Sequence, residues 1–91
     1  MQKPVEIVYS HVAERELEKL SKQIAKRIVS KILDNASQQN VLARAKALTG
    51  KFSGSYRYRV GDYRVIFIIN EKGSIVVLTV LNIKHRKDIY K

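Results

Sequence analysis

Three arginines, Arg57, Arg59 and Arg64, fall in a stretch whose alternation puts all of them on one face. Tyr56-Arg57-Tyr58-Arg59-Val60 alternates strictly, Gly61-Asp62 forms a two-residue turn signal, and Tyr63-Arg64-Val65-Ile66-Phe67-Ile68-Ile69 follows. This is the period of a half-buried strand, and Gly-Asp between two such runs predicts a tight hairpin. A loop of only those two residues sets Val60 opposite Tyr63 and Arg59 opposite Arg64, with Arg57 one diagonal step away. Like charges directly opposite on a sheet are destabilising, by up to about a kcal/mol. Three guanidinium groups so placed point to an anion that completes the site. A phosphodiester fits, because the planar guanidinium fork binds phosphate oxygens bidentately and stays charged at all relevant pH values.

Antiparallel pairing carries the cluster further. The end of the strand holding Arg59, the start of the next at Arg64 and the end of a following strand at Leu81 to Ile83 share one rim, and His85 and Arg86 leave the chain there. Arg57, Arg59, Arg64, His85, Arg86 and Tyr90 are therefore expected around one pocket, with Arg64 and His85 on the same side of the molecule. His85 is the member whose residue type exchanges protons near neutrality, and neighbouring positive charge disfavours its charged form. Tyr90 is a weaker acid, with an ordinary pKa near 10. Together these groups suit metal-free cleavage of RNA. A 2′-hydroxyl attacks phosphorus, arginines stabilise the crowded anionic transition state, and an acid protonates the leaving 5′ oxygen. Asp62 and Asp88 stand apart, so no carboxylate cluster supports a two-metal nuclease, and no cofactor is expected. Arginine at alternate strand positions also fits a solvated outer face, and a single His near a C-terminus fits a surface residue. Tyr56, Tyr58 and Tyr63 fall on the face opposite the arginines and are expected in the core.

The elements that must hold these residues are legible in the rest of the chain. Val5-Glu6-Ile7-Val8-Tyr9 alternates as a first strand, and Ser10 is placed to cap a helix with Glu14 and Glu16 near its positive end. Ala13, Leu17, Leu20, Ile24, Ile28 and Ile32 then recur at helical spacing. One helix from Val12 to Asn35 spans about 36 Å, whereas a domain of this size has a radius of gyration of about 12 Å. A break near Ser21 and a helical hairpin are therefore expected. Lys22, Lys26, Arg27 and Lys31 form a solvated stripe along it. Val41 to Leu48 reads as a short helical turn ended by Thr49-Gly50, and Asn70-Glu71-Lys72-Gly73 as a second strand-connecting turn. Ile75-Val76-Val77-Leu78-Thr79-Val80-Leu81 is apolar on both faces, which suits a strand covered on both sides. The fold class is α+β: a leading strand and a helical hairpin packed on a small, largely antiparallel sheet with a three-strand C-terminal meander.

The 91 residues make one domain, 1–91, with room for a single core. The formal net charge of +10 favours a polyanionic partner, whether nucleic acid, acidic protein or anionic lipid. With no cysteine, disulfides and thiolate metal sites are excluded, which is compatible with a reducing cytoplasm. No run approaches the roughly 18 apolar residues of a membrane span, and no signal-peptide stretch opens the chain.

A resemblance sharpens this reading. Leu48-Thr49-Gly50-Lys51-Phe52-Ser53-Gly54-Ser55-Tyr56-Arg57-Tyr58-Arg59-Val60-Gly61-Asp62-Tyr63-Arg64-Val65-Ile66-Phe67 resembles the central signature of the RelE/ParE superfamily of bacterial and archaeal toxins. His85-Arg86-Lys87-Asp88-Ile89-Tyr90 is similar to the C-terminal motif of its RelE branch. The resemblance implies the toxin of a type II toxin–antitoxin system, a ribosome-dependent endoribonuclease that cleaves mRNA in the A site and so inhibits translation. It implies that Arg64 contacts the scissile phosphate and that Tyr90 orients or protonates at the reacting centre. Arg57 and Arg59 stand where some members carry lysines assigned to proton transfer or charge stabilisation. Arginine does not readily release a proton, which shifts that role toward His85. Lys84 or Arg86 fills a second phosphate-binding role. The implied partners are the ribosome with its mRNA and an acidic, RelB-like antitoxin that covers the basic rim or displaces the tail from Lys84 to Lys91. Two other readings stay open: a ParE-like toxin that poisons DNA gyrase by binding, and a non-toxic module that retains the fold.

Overall fold

Runs of alternating and β-branched residues become the strands of one five-stranded sheet in the computed structural model, which describes residues 3–89. Chain order gives β1 (Val5–Tyr9), α1 (His11–Glu18), α2 (Lys22–Ala36), β2 (Lys46–Ala47), β3 (Tyr56–Val60), β4 (Tyr63–Lys72), β5 (Ile75–His85) and a last short helix, α3 (Arg86–Ile89). The strands lie in the order β1-β5-β4-β3-β2, with β1 parallel to β5 and every other pair antiparallel. The fold is α+β, as expected.

Helix boundaries follow from side-chain caps. Ser10 Oγ accepts the Ala13 N–H at 3.0 Å and donates to the Leu81 carbonyl at 2.8 Å, so one hydroxyl starts α1 and fastens it to β5. Ser21 Oγ accepts the Ile24 N–H at 3.2 Å and starts α2, which is where the helical hairpin turns. The folded radius of gyration is 12.8 Å, so the two helices lie over the sheet and do not project from it.

Ala13, Ile28 and Ile32 come down from the helices onto Tyr58, Val65, Phe67, Leu78, Val80 and Ile83. Tyr58 is fully buried: its ring packs on Phe67 with centroids 4.3 Å apart, and its hydroxyl donates to the Val41 carbonyl at 2.6 Å. Burial pushes the Tyr58 phenol up to about 12. Tyr56 and Tyr63 pack half-buried around this cluster, so the three tyrosines belong to the core face.

The hairpin register is the expected one, Val60 opposite Tyr63 and Arg59 opposite Arg64. Gly61 takes φ +58° at the first turn position and Asp62 does not leave negative φ, the pattern of a type II′ turn.

Four expectations are corrected. Val41 to Leu48 is no helix: after a turn the chain adds β2, whose Lys46 pairs with Arg57 and Ala47 with Tyr56. Ile24 lies on the outer side of α2 and is 38% exposed, because the break at Ser21 rotates the second helix relative to the first. Both helices cover the same sheet face, leaving Val77 and Thr79 half-buried on the other, and β-branched residues suit a pleated strand without full cover. Finally, β5 runs on to His85, and it does so through a register shift. Ile66 pairs with Asn82 and Phe67 with Val80, so Leu81 is bulged out of the ladder. A bulge switches which alternate residues face the core. Before it Leu78 and Val80 point to the helices; after it Ile83 and His85 do.

Candidate functional site

The switch at Leu81 decides which side chains meet. Arg57 on β3, Arg64 on β4 and Lys84 on β5 emerge on the face away from the helices, with Arg64 and Lys84 directly paired in register. They line one cavity of about 310 Å³ together with Ile66, Asn82, Leu48 and Phe52. Its lining is mixed: the cationic side chains of Arg57, Arg64 and Lys84 stand among apolar surface from Leu48, Phe52 and Ile66, with Ile66 the register partner of Arg57.

Lys84 does not stand there unsupported. Its Nζ lies 2.7 Å from Glu16 Oε2, and Glu16 Oε1 accepts the Ile83 N–H at 2.7 Å. β1 pairs with β5 only over Val76 to Val80, so beyond that point the edge of β5 exposes its backbone donors. α1 covers that edge, and its one well-buried carboxylate meets both a strand N–H and the lysine ammonium. Charge-assisted hydrogen bonds of this kind are the strong ones.

The single pocket expected from sequence does not form. Arg57, Arg64 and Lys84 converge, whereas Arg59 turns round the open edge of β3 into a second cavity with Arg27, Lys31 and Asp34 of α2. Asp34 Oδ2 there pairs with Arg44 at 3.0 Å and lies 3.7 Å from Lys31 Nζ. Arg59 leaves the shared face because β2 pairs only with Tyr56 and Arg57, and the strand edge next to it is open.

His85 reaches the expected rim but leaves the sheet on the opposite face from Arg64. It pairs with Tyr63, its ring stands edge-on to the Tyr63 ring at 5.1 Å, and its Nδ1 accepts the Lys87 N–H at 3.2 Å. That bond leaves Nε2 to carry the proton of the neutral ring. Arg86 is also at the rim, tied to the hairpin turn: its N–H donates to the Asp62 carbonyl at 2.7 Å, and its Nε lies 4.0 Å from Asp62 Oδ1. Tyr90 lies outside the described residues.

A family model described as "ParE toxin of type II toxin-antitoxin system, parDE" matches residues 7–90. The chain belongs to the RelE/ParE toxin superfamily. Its similarity to "Toxin RelG" of Mycobacterium tuberculosis is 30% identity over 88 residues, covering 97% of this chain and 98% of that protein. The RelBE2 toxin–antitoxin complex of Mycobacterium tuberculosis matches with a TM-score of 0.73 and 27% identity, over 94% of this chain and 100% of the other. The archaeal RelE–RelB complex of Pyrococcus horikoshii OT3 matches with a TM-score of 0.66 and 28% identity, over 94% and 97%. The RelE-like architecture and the type II toxin class are therefore common ground for this chain and its relatives.

Three residues in or behind this cavity were not expected there from the sequence. Glu16 looked like helix-dipole compensation; the available signal was its place three residues after Ala13, at the border of the apolar stripe. Phe52 and Asn82 gave no periodic signal, since one sits on a single turn of 3₁₀ helix and the other beside a bulge.

Proposed function

We propose that this toxin is a ribosome-dependent endoribonuclease that cleaves mRNA in the A site by attack of a 2′-hydroxyl on the adjacent phosphorus. The observation that supports it most is the convergence of Arg57, Arg64 and Lys84 on one cavity. Arg64 and Arg57 hold the scissile phosphate and stabilise its added charge, and Lys84, fixed by Glu16, places a third positive charge beside them. His85 leaves the sheet on the face opposite Arg64, so proton transfer through its Nε2 requires the bound strand to pass round the end of β5. Tyr90 follows it in the chain as orienting acid, while Arg59 and Arg86 extend the cationic surface on either side of the hairpin turn. The ribosome supplies the positioning that so small a cavity lacks.

The partner that silences the toxin is an acidic, RelB-like antitoxin. Relatives of 27% and 28% identity were solved as toxin–antitoxin complexes, and the charge of +10 favours an acidic ligand.

Purified toxin added to ribosomes programmed with a defined mRNA tests the reading. The expected result is a cut within the A-site codon leaving a 2′,3′-cyclic phosphate, lost in Arg64→Ala and strongly reduced in His85→Ala. Full activity in both variants removes the proposed site; full activity in His85→Ala alone moves proton transfer to another group. A second reading, binding to DNA gyrase without nuclease chemistry, is favoured by the ParE description of the matching family. Intact mRNA together with gyrase-linked DNA breaks in expressing cells would establish it.

A further inference from the structure

Phe52 is a large aromatic side chain left 58% exposed at the mouth of a cationic cavity. Its backbone is held firmly for a surface residue. Gly50 and Gly54, both at positive φ, bracket its 3₁₀ turn; the Ser53 N–H donates to the Gly50 carbonyl at 3.1 Å and the Ser55 N–H to the Phe52 carbonyl at 3.0 Å. The Leu48 N–H donates to the Ser55 carbonyl at 2.9 Å and closes the loop. An aromatic face is thus held toward solvent in a lining shared with Leu48 and Ile66, with more than half of its surface left unburied within the chain. Next to Ile66, its register partner, Asn82 adds to the same lining a carboxamide with both a donor and an acceptor.

We propose that this lining is a nucleobase pocket: Phe52 stacks on one base of the strand whose phosphate lies on Arg57 and Arg64, and Asn82 reads that base's edge. The inference rests on the RNA-cleavage reading above and adds to it the element of sequence preference. The occupant follows from the mixed lining. A ligand that meets cationic groups and an exposed aromatic face within one cavity carries phosphate and a planar ring in one unit, and a nucleotide does. Unstacked bases of single-stranded RNA are typically held in this way, between an aromatic face and hydrogen bonds to a base edge.

Cuts made by the wild type and by Phe52→Ala, Phe52→Tyr, Asn82→Ala and Arg64→Ala are mapped on ribosomes programmed with a library of A-site codons. Phe52→Ala is expected to slow cleavage by roughly tenfold or more, the scale of removing one base stack, and Phe52→Tyr to restore it. Asn82→Ala is expected to flatten the preference at one codon position while cutting continues. Urea unfolding of each variant reports that the fold is kept, and Phe52 is exposed enough for its removal to be tolerated. If Phe52→Ala and Asn82→Ala match the wild type in rate and in codon distribution while Arg64→Ala is inactive, the nucleobase pocket is refuted and RNA cleavage stands. If the wild type itself makes no cut, both fall.

Discussion

Glu16→Ala tests whether one carboxylate holds both the end of β5 and its lysine. The side chain is 15% exposed and makes two contacts of 2.7 Å, to the Ile83 N–H and to Lys84 Nζ. Losing a charge-assisted hydrogen bond costs about 1.5–3 kcal/mol, and the strand N–H it leaves behind is without an acceptor. The lysine contact adds little, about 0–1 kcal/mol, because Lys84 is 43% exposed and water screens the pair. The expected loss is therefore about 2–3 kcal/mol, a large share of the stability of a small domain. For a domain of this size each kcal/mol shifts Tm by about 4–8 °C, so the midpoint should fall by roughly 10–20 °C. Glu16→Gln keeps an oxygen for the Ile83 N–H and loses only the charge, so its cost should stay near 1 kcal/mol. The assay is urea unfolding at pH 7 followed by far-UV circular dichroism, since the chain has no tryptophan; m values must match the wild type for the comparison to hold. Glu16→Ala within 0.5 kcal/mol of the wild type, or equal losses in both variants, would refute the assignment of the backbone bond as the dominant contact.

Two further outcomes follow from the core and its caps. The Tyr58 phenol ionises near 10.0 when unfolded and at about 12 in the fold. The unfolded chain therefore loses that proton first, and stability present below pH 10 is lost as pH rises toward 12. The full shift amounts to about 2–3 kcal/mol, of which roughly half is lost by pH 11, and Tyr9, raised by burial, adds in the same direction. Urea midpoints at pH 7 and 11 measure it: Tyr58→Phe should be less stable than wild type at pH 7, by about 1 kcal/mol for the lost bond to Val41, yet lose less between the two pH values. An equal alkaline loss in both proteins would assign the effect elsewhere. Ser10→Ala should cost about 1–2 kcal/mol, since one hydroxyl both caps α1 and bonds Leu81, and Ser10→Thr should recover most of it; thermal unfolding by circular dichroism reads both.

Local chemistry was enough to determine much of this protein. Strict alternation around Gly61-Asp62 set the hairpin register and the face of Arg57 and Arg64, because a two-residue turn leaves neighbouring strands one way to pair. Ser10 and Ser21, each followed by helical spacing of apolar residues, marked where both helices begin. The motifs from Leu48 to Phe67 and from His85 to Tyr90 carried the family. What alternation does not contain is its own interruption. The bulge at Leu81 arises where β5 outruns β1 and is taken over by α1, through bonds from Ser10 to Leu81 and from Glu16 to Ile83. Those partners lie about seventy positions away in the chain. Their meeting turns Lys84 toward the arginines and His85 away from them, just as the open edge of β3 releases Arg59. Which face each residue would occupy within a strand was a matter of period two, readable from neighbours. Where that period is broken depends on contacts between distant elements, and these exist only once the sheet and helices have come together.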